Sequence, residues 1–209
     1  MTEILKDNLE NLLIAANLLN DGKIVVFPTE TVYGIGADIF NENALKRIFE
    51  IKKRDFSKAL TVHISKIEDV QRVAIDIPDD FYKLAQAFFP GPLTLILKKR
   101  CEVSPYVSNT DTVAVRMPNF KSALFLISNL KNPIVGSSAN ISCEKSLISA
   151  FDIYEVFKDK VDLIIDGGVS PIQIPSTVFD ISKKPYMVLR RGSISLEEIS
   201  EVLKDSLIF

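Results

Sequence analysis

The chain has no tryptophan, one histidine and two cysteines, and each scarcity closes off a class of function. A lone histidine, His63, argues against a serine hydrolase, although Gly136-Ser137-Ser138-Ala139-Asn140 comes near a nucleophile elbow. Cys101 and Cys143 have no partner spacing for a metal and read as free thiols of a reducing compartment. No apolar run approaches the ~20 residues of a membrane span. The N-terminus mixes acids with leucines instead of building a signal-peptide core, so a cytoplasmic protein is expected. Net basic charge is missing as well: 25 Lys and Arg face 27 Asp and Glu. Any nucleic-acid contact would need a local patch. Glycine is sparse, eight in all, and Gly34-x-Gly36 lacks the third glycine and following helix of a dinucleotide fingerprint.

What the chain does have is apolar residues at strand and helix spacing. Hydrophobic residues make up 47% and charged ones 25%, enough to bury a substantial core. The run Ile24–Phe27 is short and β-branched, as in a strand buried on both faces, and Pro28 ends it. Residues 3–20 carry Leu5, Leu9, Leu12, Leu13, Ala16 and Leu19 at helical spacing, which predicts one helix. Asn41 caps a second helix ending near Lys52, Pro78 opens a third that runs to Phe89, and Ser195 with Glu198 forms the capping box of the last. Helices are also expected over 120–130 and 150–158. Strands are expected at 59–65, 93–98, 112–116, 133–136, 162–166, 176–180 and 186–190. Interleaved strands and helices define an α/β class: a single-domain twisted mixed sheet flanked by helices, spanning 1–209 without repeat or linker.

Chemistry-bearing residues gather at strand ends. Thr29, Glu30, Thr31, Gly34 and Gly36 follow the first buried strand, a position where open α/β proteins bind ligands and glycines admit close approach. Lys52, Arg54 and Lys58 form either a solvated cluster or a phosphate clamp, with Lys52 and Arg54 facing solvent. His63 shares the polar face of its strand with Thr61. Arg116 ends a strand half buried and needs an anion, supplied by the protein or by a substrate. Ser138, Asn140, Ser176, Thr177, Arg190 and Arg191 add hydroxyls, an amide and cations. None of these positions offers a metal cluster, or a nucleophile with an assigned base. Such a site suits binding and aligning anionic substrates, where positioning and charge stabilisation do the catalysis.

Taken together, Pro28-Thr-Glu-Thr-Val-Tyr-Gly-Ile-Gly36, Lys52-x-Arg54, Thr61-Val-His63, Phe89-Pro-Gly-Pro-Leu-Thr94, Val115-Arg-Met-Pro118, Ser138-Ala-Asn140, Pro175-Ser-Thr-Val178 and Leu189-Arg-x-Gly192 resemble the YrdC/Sua5 family. Its members are the L-threonylcarbamoyladenylate synthases of tRNA t6A biosynthesis. The resemblance runs over nearly the whole chain. It implies the short, single-domain form without the additional C-terminal Sua5-type domain. It also implies a reaction of L-threonine, bicarbonate (or CO2) and ATP to threonylcarbamoyl-AMP and pyrophosphate, with Mg²⁺ bound mainly through phosphates. Downstream transferase proteins would pass the group to adenosine 37 of tRNA.

By resemblance, Thr31, His63, Arg116, Gly136 and Ser176 line the threonine pocket, and no residue is given a dedicated acid–base role. Lys52, Arg54, Lys58, Ser138, Asn140 and Arg190 hold phosphates, with Thr112 and Ser146 as further ATP contacts. Two departures from the family pattern, Asp55 and Ala59 in place of prolines, are expected to loosen their loop. Two other functions fit a fold of this kind. One is an RNA-binding module presenting Lys52, Lys53, Arg54, Lys58, Lys98, Lys99, Arg100, Arg190 and Arg191 to tRNA or double-stranded RNA. The other is a carbamoyl-transfer domain of the type fused into larger maturation enzymes.

Overall fold

A computed structural model describes residues 2–204; Met1 and residues 205–209 of the expected domain lie outside the described residues. Its strands are β1 (Glu3–Lys6), β2 (Val25–Phe27), β3 (Gly34–Asp38), β4 (Thr61–His63), β5 (Leu93–Lys98), β6 (Thr112–Arg116), β7 (Ile134–Ser138), β8 (Leu163–Asp166), β9 (Thr177–Asp180) and β10 (Met187–Arg190). Its α-helices are α1 (Leu9–Asn20), α2 (Glu42–Lys52), α3 (Asp79–Phe88), α4 (Lys121–Ser128), α5 (Ala150–Phe157) and α6 (Leu196–Leu203). The strands form one mixed sheet in the order β1-β8-β2-β3-β7-β4-β6-β5-β9-β10.

Local chemistry sets the helix ends. Asn8 and Asn41 accept from the backbone N–H groups of Asn11 and Ala44, both at 3.0 Å, which satisfies donors a helix start leaves orphaned. Ser195 and Glu198 close the expected capping box. The two sheet faces bury separate clusters. The larger gathers the apolar sides of α2, α3, α5 and α6; the smaller packs α1 and α4 on Val25, Phe27, Ile134, Leu163 and Ile165.

The predicted N-terminal helix is corrected. Residues 3–6 are an edge strand in parallel register with β8, Glu3 opposite Leu163 and Lys6 opposite Asp166. The helix starts only after Asn8. Leu5 and Leu9 mimic helical spacing, but pairing with β8 decides the conformation of residues 3–6. Leu9 and Leu13 then point to solvent, and Leu12, Ala15, Ala16 and Leu19 form the buried stripe. The segment after Pro28 is likewise a hairpin, with β3 antiparallel to β2. A 3-10 turn at Ile67–Arg72 had no expectation in the sequence.

Candidate active site

Alternation along the strands brings distant motifs onto one face. Thr61 and His63 of β4 stand opposite Ala114 and Arg116 of β6, while Gly34 of β3 pairs with Ser138 of β7, and Gly36 with Gly136. This is the face on which α1 and α4 cover Phe27 and Ile134. Beside that covered part lies an open-mouthed cavity of about 90 Å³, a concave site with a few convergent polar groups.

Three arginines line the cavity: Arg54 from the loop after α2, Arg116 from β6 and Arg190 from β10. Its remaining walls are mostly hydroxyls and backbone, from Thr29, Thr31, Tyr33, Thr61, Thr94, Ser137, Ser138 and Ser176. Among the described residues, no carboxylate lines it. Burial comes first in lowering the guanidinium pKa of all three arginines; for Arg190 the charges of Arg116 and Arg54 add to it. A guanidinium nevertheless stays protonated in a protein, so the cavity is cationic and calls for an anionic ligand.

Each arginine is held in place. Arg54 donates from Nε to Lys58 O (3.0 Å) and from Nη2 to Ala59 O (2.6 Å). Arg190 donates from Nε to Ser176 O (3.0 Å) and from Nη2 to Ser176 Oγ (3.1 Å), and that hydroxyl also bonds Thr94 Oγ1 at 2.7 Å. Arg116 donates from Nε to Gly91 O (3.3 Å) and from Nη2 to Glu30 Oε1 (2.7 Å). The anion required by Arg116 is therefore supplied in part by the protein itself.

His63 is buried with its imidazole flat on Gly136, where an added Cβ would lie 2.3 Å from the ring. Phe27 meets it edge-on at 5.9 Å. Burial, then the Arg116 charge, holds His63 well below its ordinary pKa, so the ring is neutral near pH 7. Its Nδ1 has no partner among the described residues. The same close packing explains Gly36, whose open face is filled by Phe27, 2.8 Å from a built Cβ, rather than by a ligand.

All five residues of the expected threonine pocket line this cavity, as do Arg54, Ser138 and Arg190. Five expected ATP contacts do not. Lys52 is fully buried instead of facing solvent, and so leaves the basic surface patch. Its Nζ donates to Ser138 O, to Asn140 O (2.8 Å) and to Asn140 Oδ1 (3.4 Å). Burial first, and Arg54 second, push its pKa down to about 7. An amphipathic helix end explains the misreading, because Lys52 occupies the buried stripe of α2 with Ala44, Leu45 and Ile48.

Asn140 is buried in the same network. It accepts from Ser138 Oγ (2.6 Å) and donates to Ile141 O and Glu144 O. Lys58 reaches away to Cys143 Sγ (3.1 Å). Thr112 shares the polar face of β6 but bonds Thr110 (3.0 Å) outside the lining. Ser146 also lies outside the lining. Glu30, Tyr33, Thr94 and Ser137 were missed as site residues, although all four stand inside or beside the quoted motifs. In the loop that carries Asp55 and Ala59, Asp55 Oδ1 accepts from Ser57 N (2.8 Å) and Ala59 O accepts from Arg54 Nη2 (2.6 Å).

The family model Sua5_yciO_yrdC, described as "Telomere recombination", matches residues 17–192. A threonylcarbamoyl-AMP synthase of Pyrococcus abyssi is 48% identical over 91% of this chain and 56% of its own length. That of Bacillus subtilis is 38% identical over 97% of this chain and 59% of its own. The structure of P. abyssi Sua5 complexed with L-threonine superposes with a TM-score of 0.94 at 42% identity, over 100% of this chain and 62% of that one. E. coli YciO shares the fold, with a TM-score of 0.87 at 24% identity. The chain thus spans a little over half the length of these synthases. With most of its length inside the family model and its sheet superposing on Sua5, the chain belongs to the Sua5/YciO/YrdC family.

Proposed function

We propose that this chain is an L-threonylcarbamoyladenylate synthase, combining L-threonine, bicarbonate or CO2, and ATP for tRNA t6A modification. The observation that carries the reading is the cationic cavity itself. Three fixed arginines and a ring of hydroxyls converge where a carboxylate and a polyphosphate can be held side by side.

Arg116, with Thr31, His63 and Ser176 around it, takes the amino-acid end. Arg54, Ser138 and Arg190 take the phosphates. The neutral amine of threonine adds to CO2 and gives up a proton to water, leaving a carbamate. A carbamate oxygen forms a bond to the α-phosphorus as the bond from that phosphorus to the bridging oxygen breaks, and pyrophosphate leaves with the electron pair. Charge builds on the departing oxygens, where the arginines already stand. Mg²⁺ carried on the nucleotide's phosphates would help neutralise the charge of the departing pyrophosphate. Neutral His63 acts as a hydrogen-bonding wall instead of a base.

We read the chain as one domain working in the cytoplasm, its product handed to a threonylcarbamoyl transferase; no helix among the described residues is long and apolar enough to cross a membrane. Pyrophosphate release tests the reaction: it should require L-threonine and bicarbonate together. Release with ATP alone, or with either partner missing, would contradict it.

A further inference from the structure

Arg116 and Glu30 form a buried ion pair in which both side chains are 7% exposed. Buried ion pairs contribute little net stability, because desolvating two charges offsets their attraction. This one is also incompletely made. A guanidinium and a carboxylate can pair through two parallel N–H···O bonds, yet here a single arm joins Nη2 to Oε1 at 2.7 Å, and Glu30 Oε2 has no partner among the described residues. Of the five guanidinium N–H protons, one at Nε and one at Nη2 are engaged, leaving three on a side chain that lines the cavity.

Glu30 is itself fixed. It sits in the turn between β2 and β3, and its backbone O accepts from Ile172 N at 2.8 Å. We propose that Glu30 is a positioning residue: by holding one arm of Arg116 it aims the remaining N–H groups of the guanidinium at the carboxylate of the amino-acid substrate. This rests on the reading of Arg116 given above. It gives the Pro28-Thr-Glu-Thr motif a role from behind the cavity wall, since Glu30 itself is not in the lining.

Reach and charge can be separated. Glu30→Asp keeps the charge but withdraws the acceptor by one methylene. Glu30→Gln keeps an oxygen acceptor at the same reach and removes the charge. Calorimetry of L-threonine against L-threoninamide, which lacks the carboxylate, reports how well Arg116 is aimed. The ratio of the two affinities cancels losses from a destabilised variant. The preference for L-threonine should fall at least ~10-fold in Glu30→Asp and stay within about threefold of wild type in Glu30→Gln. An unchanged preference in Glu30→Asp, or a larger loss in Glu30→Gln than in Glu30→Asp, overturns the proposal. Wild type showing no preference for threonine over its amide would remove the reading of Arg116, and this inference with it.

Discussion

At the level of single residues, the cationic lining and the neutral histidine make separate predictions. Arg54→Ala and Arg190→Ala each remove preorganised charge at the phosphates, and turnover should drop ~10²-fold, with little change in threonine affinity for Arg54→Ala and some loss for Arg190→Ala, which also releases Ser176. Steady-state kinetics with both substrates varied would check this, and near-normal turnover in both variants would withdraw the phosphate assignment. His63→Asn should raise the threonine KM strongly and leave saturated turnover within about tenfold. A larger loss of saturated turnover would make His63 a base.

The same residue governs a pH effect. The folded state keeps His63 neutral, whereas the unfolded chain protonates it near pH 6.5. Below that pH the unfolded state binds the extra proton, so stability falls as pH drops and is flat above it on this account. Thermal melts of wild type and His63→Asn between pH 5 and 8 should show a shallower acid slope in the variant. Parallel slopes would mean the folded imidazole titrates normally.

At the level of elements, Lys52 ties the end of α2 to Ser138, the last residue of β7, and to Asn140 just beyond it. Removing its amino group leaves buried carbonyls unpaired, and an unsatisfied buried polar group costs about 1–3 kcal/mol. Lys52→Met should therefore lower the melting temperature by several degrees, unlike Arg54→Ala. Equal stability of the two variants would place Lys52 outside the core network. Gly136→Ala tests the opposite kind of crowding. A methyl 2.3 Å from the His63 ring forces that ring to move, at a cost of about 1–3 kcal/mol, and should weaken threonine binding in step. Unchanged threonine affinity would separate the ring's position from the pocket.

Elements were legible in the sequence where a period ran uninterrupted. The expected strands at 93–98 and 112–116 coincide with β5 and β6, and the capping box marks α6. They were hidden where tertiary pairing overrides local pattern. β1 exists because β8 offers an edge, and no residue within 3–6 announces that. Among site residues, motif position identified the lining well. Burial it could not show: Lys52 and Asn140 carry polar groups that suit a ligand and a buried network equally. Only the three-dimensional location of α2 decides between them.

At the level of the whole molecule, ten strands in one sheet bring residues from the 28–33 turn, β4, β6, β7 and the β9–β10 region into one cavity. The central claim is that this cavity joins three substrates in one adenylate. The most direct measurement supplies isotopically labelled bicarbonate with ATP and L-threonine and determines the mass of the nucleotide product. The account predicts an adenylate carrying both threonine and the labelled carbon, formed one for one with pyrophosphate. An adenylate of threonine without that carbon, or ATP consumed with no labelled adenylate at all, would contradict it.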